Sequence, residues 1–199
     1  VNPVESGEDG VLFINSPFPG LTPTLWEGKD RYTREYWSDI PGVYYAGDAA
    51  TVDEDGYIWF SGRADEVLTI AGHRVGPTDI EDALVGHDAV IEAAVVGKPD
   101  PEKTEVAAVF AVIKDEYEPT DELKKELINR VREDVGPIAV IGELRFVDQL
   151  PKTRSGKIMR RTIRDIMLEE PLGDVSTMED ESAIGEIENA CTDIEIEEE

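Results

Sequence analysis

Apolar and polar residues are arranged along the chain in a pattern that predicts an α+β fold. Apolar runs bounded by Gly, Pro and Asp predict short strands, and one of these runs, residues 106–113, is apolar at nearly every position. Such a continuous run is typical of a strand in the centre of a sheet. Apolar residues that recur at helical spacing predict helices. The predicted strands are 11–14, 43–48, 57–60, 67–70, 73–75, 91–96, 106–113 and 144–147, and the predicted helices are 77–85, 119–135 and 157–168.

The pattern changes after Ser61-Gly62, which divides the chain into two parts. Residues 1–61 contain too few strands to bury a core, so they are expected to be the β-rich end of a larger domain. Residues 67–168 predict a complete α+β domain, with a short mixed sheet and flanking helices, joined to the first part by residues 62–66. Residues 169–199 contain 13 acids and no base, and we expect them to be a loosely ordered tail.

The composition excludes several classes of function. The 199 residues include 45 acids and 19 bases, for a net charge of -26, which repels nucleic acid and anionic membranes. No apolar run approaches the ~20 residues of a membrane span. The single cysteine, Cys191, excludes a disulfide framework and favours a reducing compartment. We therefore expect a cytoplasmic protein with no nucleic-acid and no membrane partner.

One basic stretch stands out against this acidity. Residues 151–164 contain six cations and no acid. A bound phosphate is one explanation, because Gly156 lets the backbone bend and Lys157 supplies a mobile point charge. The alternative is a solvated, lysine-rich loop before a helix, and the spacing alone leaves both open.

Three motifs occur in an order that resembles a known superfamily. The first is Tyr45-Ala46-Gly47-Asp48, the second runs from Gly62-Arg63-Ala64-Asp65 to Gly72-His73-Arg74-Val75 and Asp79-Ile80-Glu81, and the third runs from Pro151 to Lys157. Together they are similar to the late core motifs of the acyl-adenylate-forming enzymes, which include acyl-CoA synthetases, peptide-synthetase adenylation domains and luciferases. The detailed sequence of these motifs, together with residues Leu172 to Thr177, resembles the AMP-forming acetyl-CoA synthetases most.

The resemblance implies a two-step reaction and a two-part architecture. Acetate and Mg-ATP give acetyl-AMP and pyrophosphate, and the thiol of CoA then attacks the acetyl-AMP; ATP, Mg²⁺ and CoA are thus the implied cofactors. Residues 1–61 correspond to the end of the large adenylating domain, 62–66 to a hinge, and 67–168 to a mobile C-terminal domain. The phosphate loop, acid pocket and catalytic Glu of the large domain do not occur here. The chain is therefore expected to be a fragment or a truncated gene product, inactive without its N-terminal portion.

The resemblance assigns nucleotide contacts to three residues. Asp48 accepts hydrogen bonds from the ribose hydroxyls, Arg63 contacts ribose or phosphate oxygens, and Arg74 contacts the nucleotide phosphate. Asp65 matches the hinge position. The alternatives are a turn-capping role for Asp48 and, for Arg63, a surface ion pair with Asp65 or Glu66.

Lys157 matches the catalytic lysine of the family. In the first step it reaches the incoming carboxylate and the α-phosphate, where it stabilises developing charge. The resemblance also implies that acetylation of Lys157 switches this step off by removing its charge. A protein lysine acetyltransferase and a deacetylase are then implied partners.

A second set of residues matches the CoA-facing surface. Ala71 and Gly72 correspond to the wall of the pantetheine tunnel, where a missing side chain leaves room for a thin ligand. Arg132 corresponds to an arginine at the nucleotide end of CoA. The alternatives are an ordinary hairpin glycine and a solvated helix face.

Val85, His87 and Val90 match a family cation site built mainly from backbone carbonyls. From the residues alone, a surface histidine at a helix end is the better interpretation, because one His is a weak metal site. Thr104 stands where relatives often have Gly, which is expected to alter a turn.

Two other functions stay open. The acid could be propionate or a longer one, since the residues of its pocket lie outside this sequence. The chain could also be a non-catalytic, truncated interaction module.

Overall fold

The computed structural model describes residues 2–194, and the chain divides into two units, Val1–Asp65 and Glu66–Glu199. The division falls within the predicted joint at residues 62–66. Both units combine strands with helices, which confirms the predicted α+β class. That residues 62–66 act as a hinge stays a prediction.

The first unit is built on a three-stranded antiparallel sheet. Its strands are β1 (Asp9–Ile14), β2 (Tyr44–Val52) and β3 (Ile58–Arg63), in the order β1-β2-β3. The predicted turn at Asp53 closes the β2–β3 hairpin. The Asp53 carboxylate accepts hydrogen bonds from the indole N–H of Trp59 at 2.8 Å and from the backbone N–H of Tyr57 at 2.8 Å. The bond from Trp59 has the largest effect on the pKa of Asp53, and all of these bonds lower it.

A helix in the first unit contradicts the prediction that residues 1–60 contain only strands and loops. Helix α1 (Lys29–Tyr36) has eight residues, of which only Tyr32 is buried. Tyr36 stacks on Tyr44 of β2 with 5.4 Å between ring centroids. The prediction failed because aromatic residues favour strands by propensity, and a two-turn helix shows too little of its apolar period.

The second unit contains a five-stranded mixed sheet. The buried strand β7 lies at its centre, as predicted, and pairs with three other strands. The last strand, β8, runs parallel to β7 and makes the sheet mixed. The edge strand β6 is longer than predicted, because Pro99 is tolerated where no further strand needs its missing N–H. The strands are β4 (Leu68–Ile70), β5 (His73–Val75), β6 (Val90–Asp100), β7 (Thr104–Ile113) and β8 (Ile141–Phe146), in the order β5-β4-β7-β6 with β8 on β7.

Two helices cover each face of this sheet. Helices α2 (Pro77–Val85) and α3 (Asp121–Asp134) pack on one face, around the fully buried Leu84 and Leu127. Helices α4 (Arg160–Met167) and α5 (Ser182–Cys191) pack on the other, around Phe110. Helix α4 begins at Arg160 instead of residue 157, because the residues before it form a tight turn.

Helix α5 contradicts the prediction of a loosely ordered tail over the part of residues 169–199 that it occupies. Ala183 and Ile187 of this helix are 2% and 0% exposed, and both positions belong to an apolar stripe interrupted by many acids. The prediction failed because it depended on the many acids of the segment, a composition that is typical of disordered chains. Residues 195–199 of the predicted tail lie outside the described residues.

Within residues 2–194, none of the helices combines the length and the apolar character that a membrane crossing requires.

Candidate functional site

Asp48 and Arg63 lie side by side on two adjacent strands of the first sheet. They are register partners on β2 and β3, and Arg63 Nη1 lies 3.8 Å from Asp48 Oδ1. The guanidinium lies against Gly47, whose φ of +80° and missing side chain permit the approach; a Cβ there would overlap Arg63 Nη1. Arg63 also donates to the carbonyl of Ala46 at 3.2 Å. The two predicted nucleotide residues are thus neighbours.

The structure also contains the surface ion pair that was the alternative for Arg63. Its Nε donates to Asp65 Oδ1 at 3.2 Å, and both side chains are largely exposed. Exposed pairs of this kind are worth little, about 0–1 kcal/mol. A ligand oxyanion therefore competes with a weak partner for this guanidinium.

The β4–β5 hairpin contains the predicted CoA-facing residues. Ala71 and Gly72 form its two-residue turn with φ of +48° and +83°, as a type I′ turn requires. Nothing lies within 4 Å of the place where a Cβ on Gly72 would stand, so that side of the turn is open. Arg74 follows on β5, paired with Thr69, and its side chain is exposed.

The backbone at Thr104 has a conformation that favours glycine. Its φ is +70°, a left-handed conformation that is unfavourable for a β-branched residue. At this point β7 begins, and Thr104 pairs with Ile70 next to the hairpin turn. The backbone N–H of Ala71 donates to the carbonyl of the preceding Lys103 at 2.8 Å. Thr104 thus adds strain beside the hairpin turn that is predicted to face CoA.

Lys157 lies at the end of a tight turn. The N–H of Gly156 donates to the carbonyl of Thr153 at 2.8 Å, and the N–H of Thr153 donates to the carbonyl of Lys157 at 2.8 Å. Gly156 has a φ of +82°, which closes the turn. The side chain of Lys157 is exposed and forms no ion pair with any of residues 2–194. The backbone is fixed while the ammonium group stays free.

Sequence reasoning missed a buried ion-pair network next to this turn. Arg160, the first residue of α4, donates from Nε and Nη2 to the two oxygens of Glu81 at 2.8 and 2.7 Å, and from Nη1 to Glu66 at 3.2 Å. Glu81 is 6% exposed and also accepts the backbone N–H of Val95 at 2.9 Å. Glu81 holds the pKa of Arg160 above its ordinary value. The sequence contains one signal for this network, which is the position of Glu81 among the buried residues of α2. A buried carboxylate needs a partner.

Arg132 and the predicted cation site lie elsewhere in the second unit. Arg132 is exposed in the last turn of α3 and has no ion pair within the described residues. Val85 ends α2, His87 follows in the short connection, and Val90 is the first residue of β6. The N–H of Ala89 donates to His87 Nδ1 at 3.2 Å, so that nitrogen is already occupied. The other ring nitrogen, Nε2, lies 3.8 Å from Glu126 Oε2, so a cation here would depend mainly on backbone carbonyls, as the family resemblance implies.

Comparison with known proteins finds several relatives of this chain. Residues 79–157 match the model of the AMP-binding enzyme C-terminal domain. The acetyl-coenzyme A synthetase of Pyrobaculum arsenaticum is 50% identical over 196 residues, which are 98% of this chain and 29% of that protein. The 3-hydroxypropionyl-coenzyme A synthetase of Metallosphaera sedula is 45% identical over 195 residues, 97% of this chain and 29% of that protein.

Solved structures agree with these matches. The acetoacetyl-CoA synthetase from Streptomyces lividans superposes with a TM-score of 0.85 over 96% of this chain and 29% of its own; at 23% identity it supports the fold alone. The anthranilate CoA ligase AuaEII, in complex with anthranoyl-AMP, has a TM-score of 0.70 and 30% identity over 81% of this chain and 30% of its own.

The chain therefore contains a segment, residues 79–157, that matches the C-terminal domain of AMP-binding enzymes. Over nearly all of its length it is similar to acetyl-coenzyme A synthetases, of which it spans about 29%. Both findings confirm the resemblance drawn from the motifs.

Proposed function

We propose that this chain is the C-terminal portion of an AMP-forming acetate–CoA ligase that works in the cytoplasm. The whole reaction converts ATP, acetate and CoA into acetyl-CoA, AMP and pyrophosphate through acetyl-AMP. Identity of 50% with acetyl-coenzyme A synthetases supports the proposal, together with ligase relatives among the solved structures. The observation on which it depends most is the free ammonium group of Lys157 on a fixed turn.

In the first step, Lys157 acts as the electrostatic catalyst. A carboxylate oxygen of acetate attacks the α-phosphorus of ATP, the bond from this phosphorus to the bridging oxygen breaks, and pyrophosphate leaves. Negative charge stays on the oxygens around the α-phosphorus throughout. An ammonium group without an ion-pair partner in the described residues is available to stabilise that charge. Acetylation of this exposed lysine would remove its charge and stop the step, so an acetyltransferase and a deacetylase are proposed regulators.

Asp48 and Arg63 hold the nucleotide in this proposal. Two oxygens of one carboxylate suit the two neighbouring ribose hydroxyls, which donate to Asp48. Arg63, 3.8 Å from Asp48 on the adjacent strand, is placed to contact a ribose or phosphate oxygen of the same molecule. Its pair with Asp65 is exposed and weak, so this exchange costs little.

The open hairpin turn receives CoA in the second step. The thiol of CoA gives its proton to water, its sulfur attacks the carbonyl carbon of acetyl-AMP, the bond from that carbon to the AMP oxygen breaks, and AMP leaves. The space beside Gly72 and the small side chain of Ala71 leave room for the thin pantetheine arm. Arg74 is assigned to the nucleotide phosphate, and Arg132, exposed at the end of α3, to the phosphate-rich end of CoA.

No step is assigned to a metal ion bound by this chain. Within residues 2–194, no group of three or more His, Cys, Asp or Glu side chains could hold one. Mg²⁺ is proposed to arrive with ATP as part of the substrate. The carbonyl site at Val85, His87 and Val90 stays a proposal, because His87 Nδ1 is occupied and a single side chain defines no metal site.

An N-terminal portion of the same enzyme is the proposed partner. Tyr57, Trp59 and Phe60 along the β3 segment are 63–67% exposed, which is unusual for three neighbouring aromatic residues. Exposed aromatic side chains of this kind are suited to burial against another domain.

A reassembly assay tests the proposed function. The chain is mixed with a separately produced N-terminal portion, taken from the P. arsenaticum relative, and acetate-dependent AMP release is measured with ATP and CoA. We expect activity from the mixture and none from either part alone. ATP–pyrophosphate exchange by the chain alone, or an inactive mixture in which the two parts bind each other, would contradict the proposal; the latter favours a non-catalytic interaction module.

A second candidate acid follows from the relatives. Two 3-hydroxypropionyl-coenzyme A synthetases, from Sulfurisphaera tokodaii and M. sedula, are 47% and 45% identical to this chain. The reassembly assay should therefore be run with acetate, propionate and 3-hydroxypropionate, using the natural N-terminal portion. The ratio of kcat/KM values between these acids decides which of them the enzyme activates.

A further inference from the structure

The turn that presents Lys157 is held by a segment far beyond it in sequence. The N–H of Arg154 donates to the carbonyl of Thr177 at 3.0 Å, and the N–H of Glu179 donates to the carbonyl of Lys152 at 2.9 Å. These two bonds form an antiparallel bridge in which Thr153 faces Met178. The turn therefore has backbone partners on both sides, its own and those of residues 177–179.

The bridging segment is itself anchored in the core. Met178 is 5% exposed, and Ile187 of α5 is 0% exposed within the cluster around Phe110. The amide of Gln149 donates to the hydroxyl of Ser182 at 2.6 Å, which ties the start of α5 to the residues before the turn. Residues 175–191 thus form one continuous buttress, from the bridge through Met178 into α5. We use the term buttress for these residues below.

The buttress lies outside the matched family domain, which ends at residue 157. Its acidic side chains point to no chemistry, but its backbone bonds fix the loop from which Lys157 extends. A catalytic group that is misplaced by about 1 Å loses up to a hundredfold in rate. We propose that the buttress is a positioning element for the adenylation step, with Met178 as its central positioning residue. This inference rests on the proposed role of Lys157.

The first test measures the order of the turn without any activity assay. Glu179→Pro removes the N–H that donates to Lys152, and the extended backbone at Met178 suits a residue before proline. Glu179→Ala is the matched control, because it keeps the N–H and Glu179 is exposed. By hydrogen–deuterium exchange of the 199-residue chain, the Pro variant should exchange the amides of residues 153–159 about fivefold faster or more. The β6–β7 hairpin should be unchanged in both variants.

The second test separates positioning from general stability in the reassembled enzyme. Met178→Asp places a charge at the buried bridge, while Leu172→Asp places the same charge at a position that is 39% exposed. We expect Met178→Asp to lower acetate-dependent ATP–pyrophosphate exchange about tenfold to a hundredfold in kcat. Thioester formation from supplied acetyl-AMP and CoA should change less than twofold, because Lys157 acts only in the first step. Leu172→Asp should leave both unchanged.

Three outcomes would overturn the inference. They are equal exchange of residues 153–159 in the two Glu179 variants, an undiminished first step in Met178→Asp, or equal losses in both steps, which would indicate a purely structural role. Lys157→Ala, run in parallel, distinguishes the two levels of the proposal. If it leaves the first step intact, the proposed function fails; if it abolishes that step while Met178→Asp does not slow it, only the positioning role fails.

Discussion

Two cations three residues apart, Lys157 and Arg160, occupy opposite environments. Arg160 is 21% exposed in its side chain and is bound by Glu81 and Glu66, whereas Lys157 is exposed without an ion pair among the described residues. A side chain whose three nitrogens all donate to buried or half-buried carboxylates stabilises the fold, whereas a cation without an ion pair is available to a ligand. The same basic stretch thus contains a structural cation and the cation that we propose acts in catalysis.

The largest expected effect is on catalysis. Lys157→Ala should lower the rate of acetyl-AMP formation in the reassembled enzyme by about 100–1000-fold, or roughly 3–4 kcal/mol, because one preorganised charge is lost. The free energy of unfolding of the chain should change by less than about 0.5 kcal/mol, since Lys157 forms no ion pair within residues 2–194. Pyrophosphate exchange and urea denaturation measure the two quantities. Arg154→Ala, an exposed cation in the same turn, is the control, and an equal loss there would remove the distinction.

Arg160 should show the reverse behaviour. Arg160→Ala leaves Glu81, which is 6% exposed, without its cation, and we expect a loss of about 3 kcal/mol in the free energy of unfolding. Arg160→Lys should recover only part of this, because an ammonium group cannot reproduce the two parallel bonds to Glu81. Urea denaturation with Arg161→Ala as the exposed control measures both. A change below about 0.5 kcal/mol for Arg160→Ala would show that the network contributes nothing to stability.

The backbone of the turn offers a smaller effect. Gly156 has a φ of +82°, and nothing lies within 4 Å of where its Cβ would stand. Gly156→Ala therefore adds conformational strain alone, about 1 kcal/mol of destabilisation. The Ala variant should also slow adenylation more than its stability loss explains, because the turn presents Lys157. Full activity together with the stability loss would mean that the turn geometry has no catalytic value.

Thr104 gives the smallest effect and the opposite sign. Its φ of +70° is strained for threonine, so Thr104→Gly should stabilise the chain by about 0.5–1 kcal/mol after the entropy of the unfolded glycine is subtracted. Thermal or urea denaturation against Thr104→Ser, which keeps the strain, measures the gain. A loss of stability in the Gly variant would indicate that the side chain of Thr104 makes a favourable contact, and that this contact contributes more than the backbone strain costs.

The elements that the sequence predicted well have a strong and uniform pattern. The central position of β7 followed from its continuous apolar run, and α3 followed from Leu123, Leu127 and Val131 at helical spacing. Elements with a mixed pattern were missed. Helix α5 interleaves its buried Ala183 and Ile187 with acids, so its apolar face is visible only once the cluster around Phe110 is known.

The candidate site shows the same division between local and distant information. The bend at Gly156 and the hairpin at Ala71-Gly72 are local and followed from residue types alone, although the helix after Gly156 was predicted to begin at residue 157 instead of Arg160. The pairing of Arg160 with Glu81 joins residues 79 positions apart, and the bond from Arg154 to Thr177 joins the turn to a region expected to be loosely ordered. The sequence alone indicates that a buried acid needs a partner, but it does not identify which cation is that partner.

The close approach of a guanidinium to Gly47 has a practical consequence for engineering. A saturation library that randomises the residues around Asp48 should return mostly glycine at position 47, because a φ of +80° strains every residue with a side chain, and such a side chain would also displace the end of Arg63. A weaker affinity for nucleotides in such a variant would result from the displacement of Arg63 on the adjacent strand, and not from a direct contact of the residue at position 47. Libraries for altered nucleotide preference should therefore hold codon 47 fixed and vary its exposed neighbours.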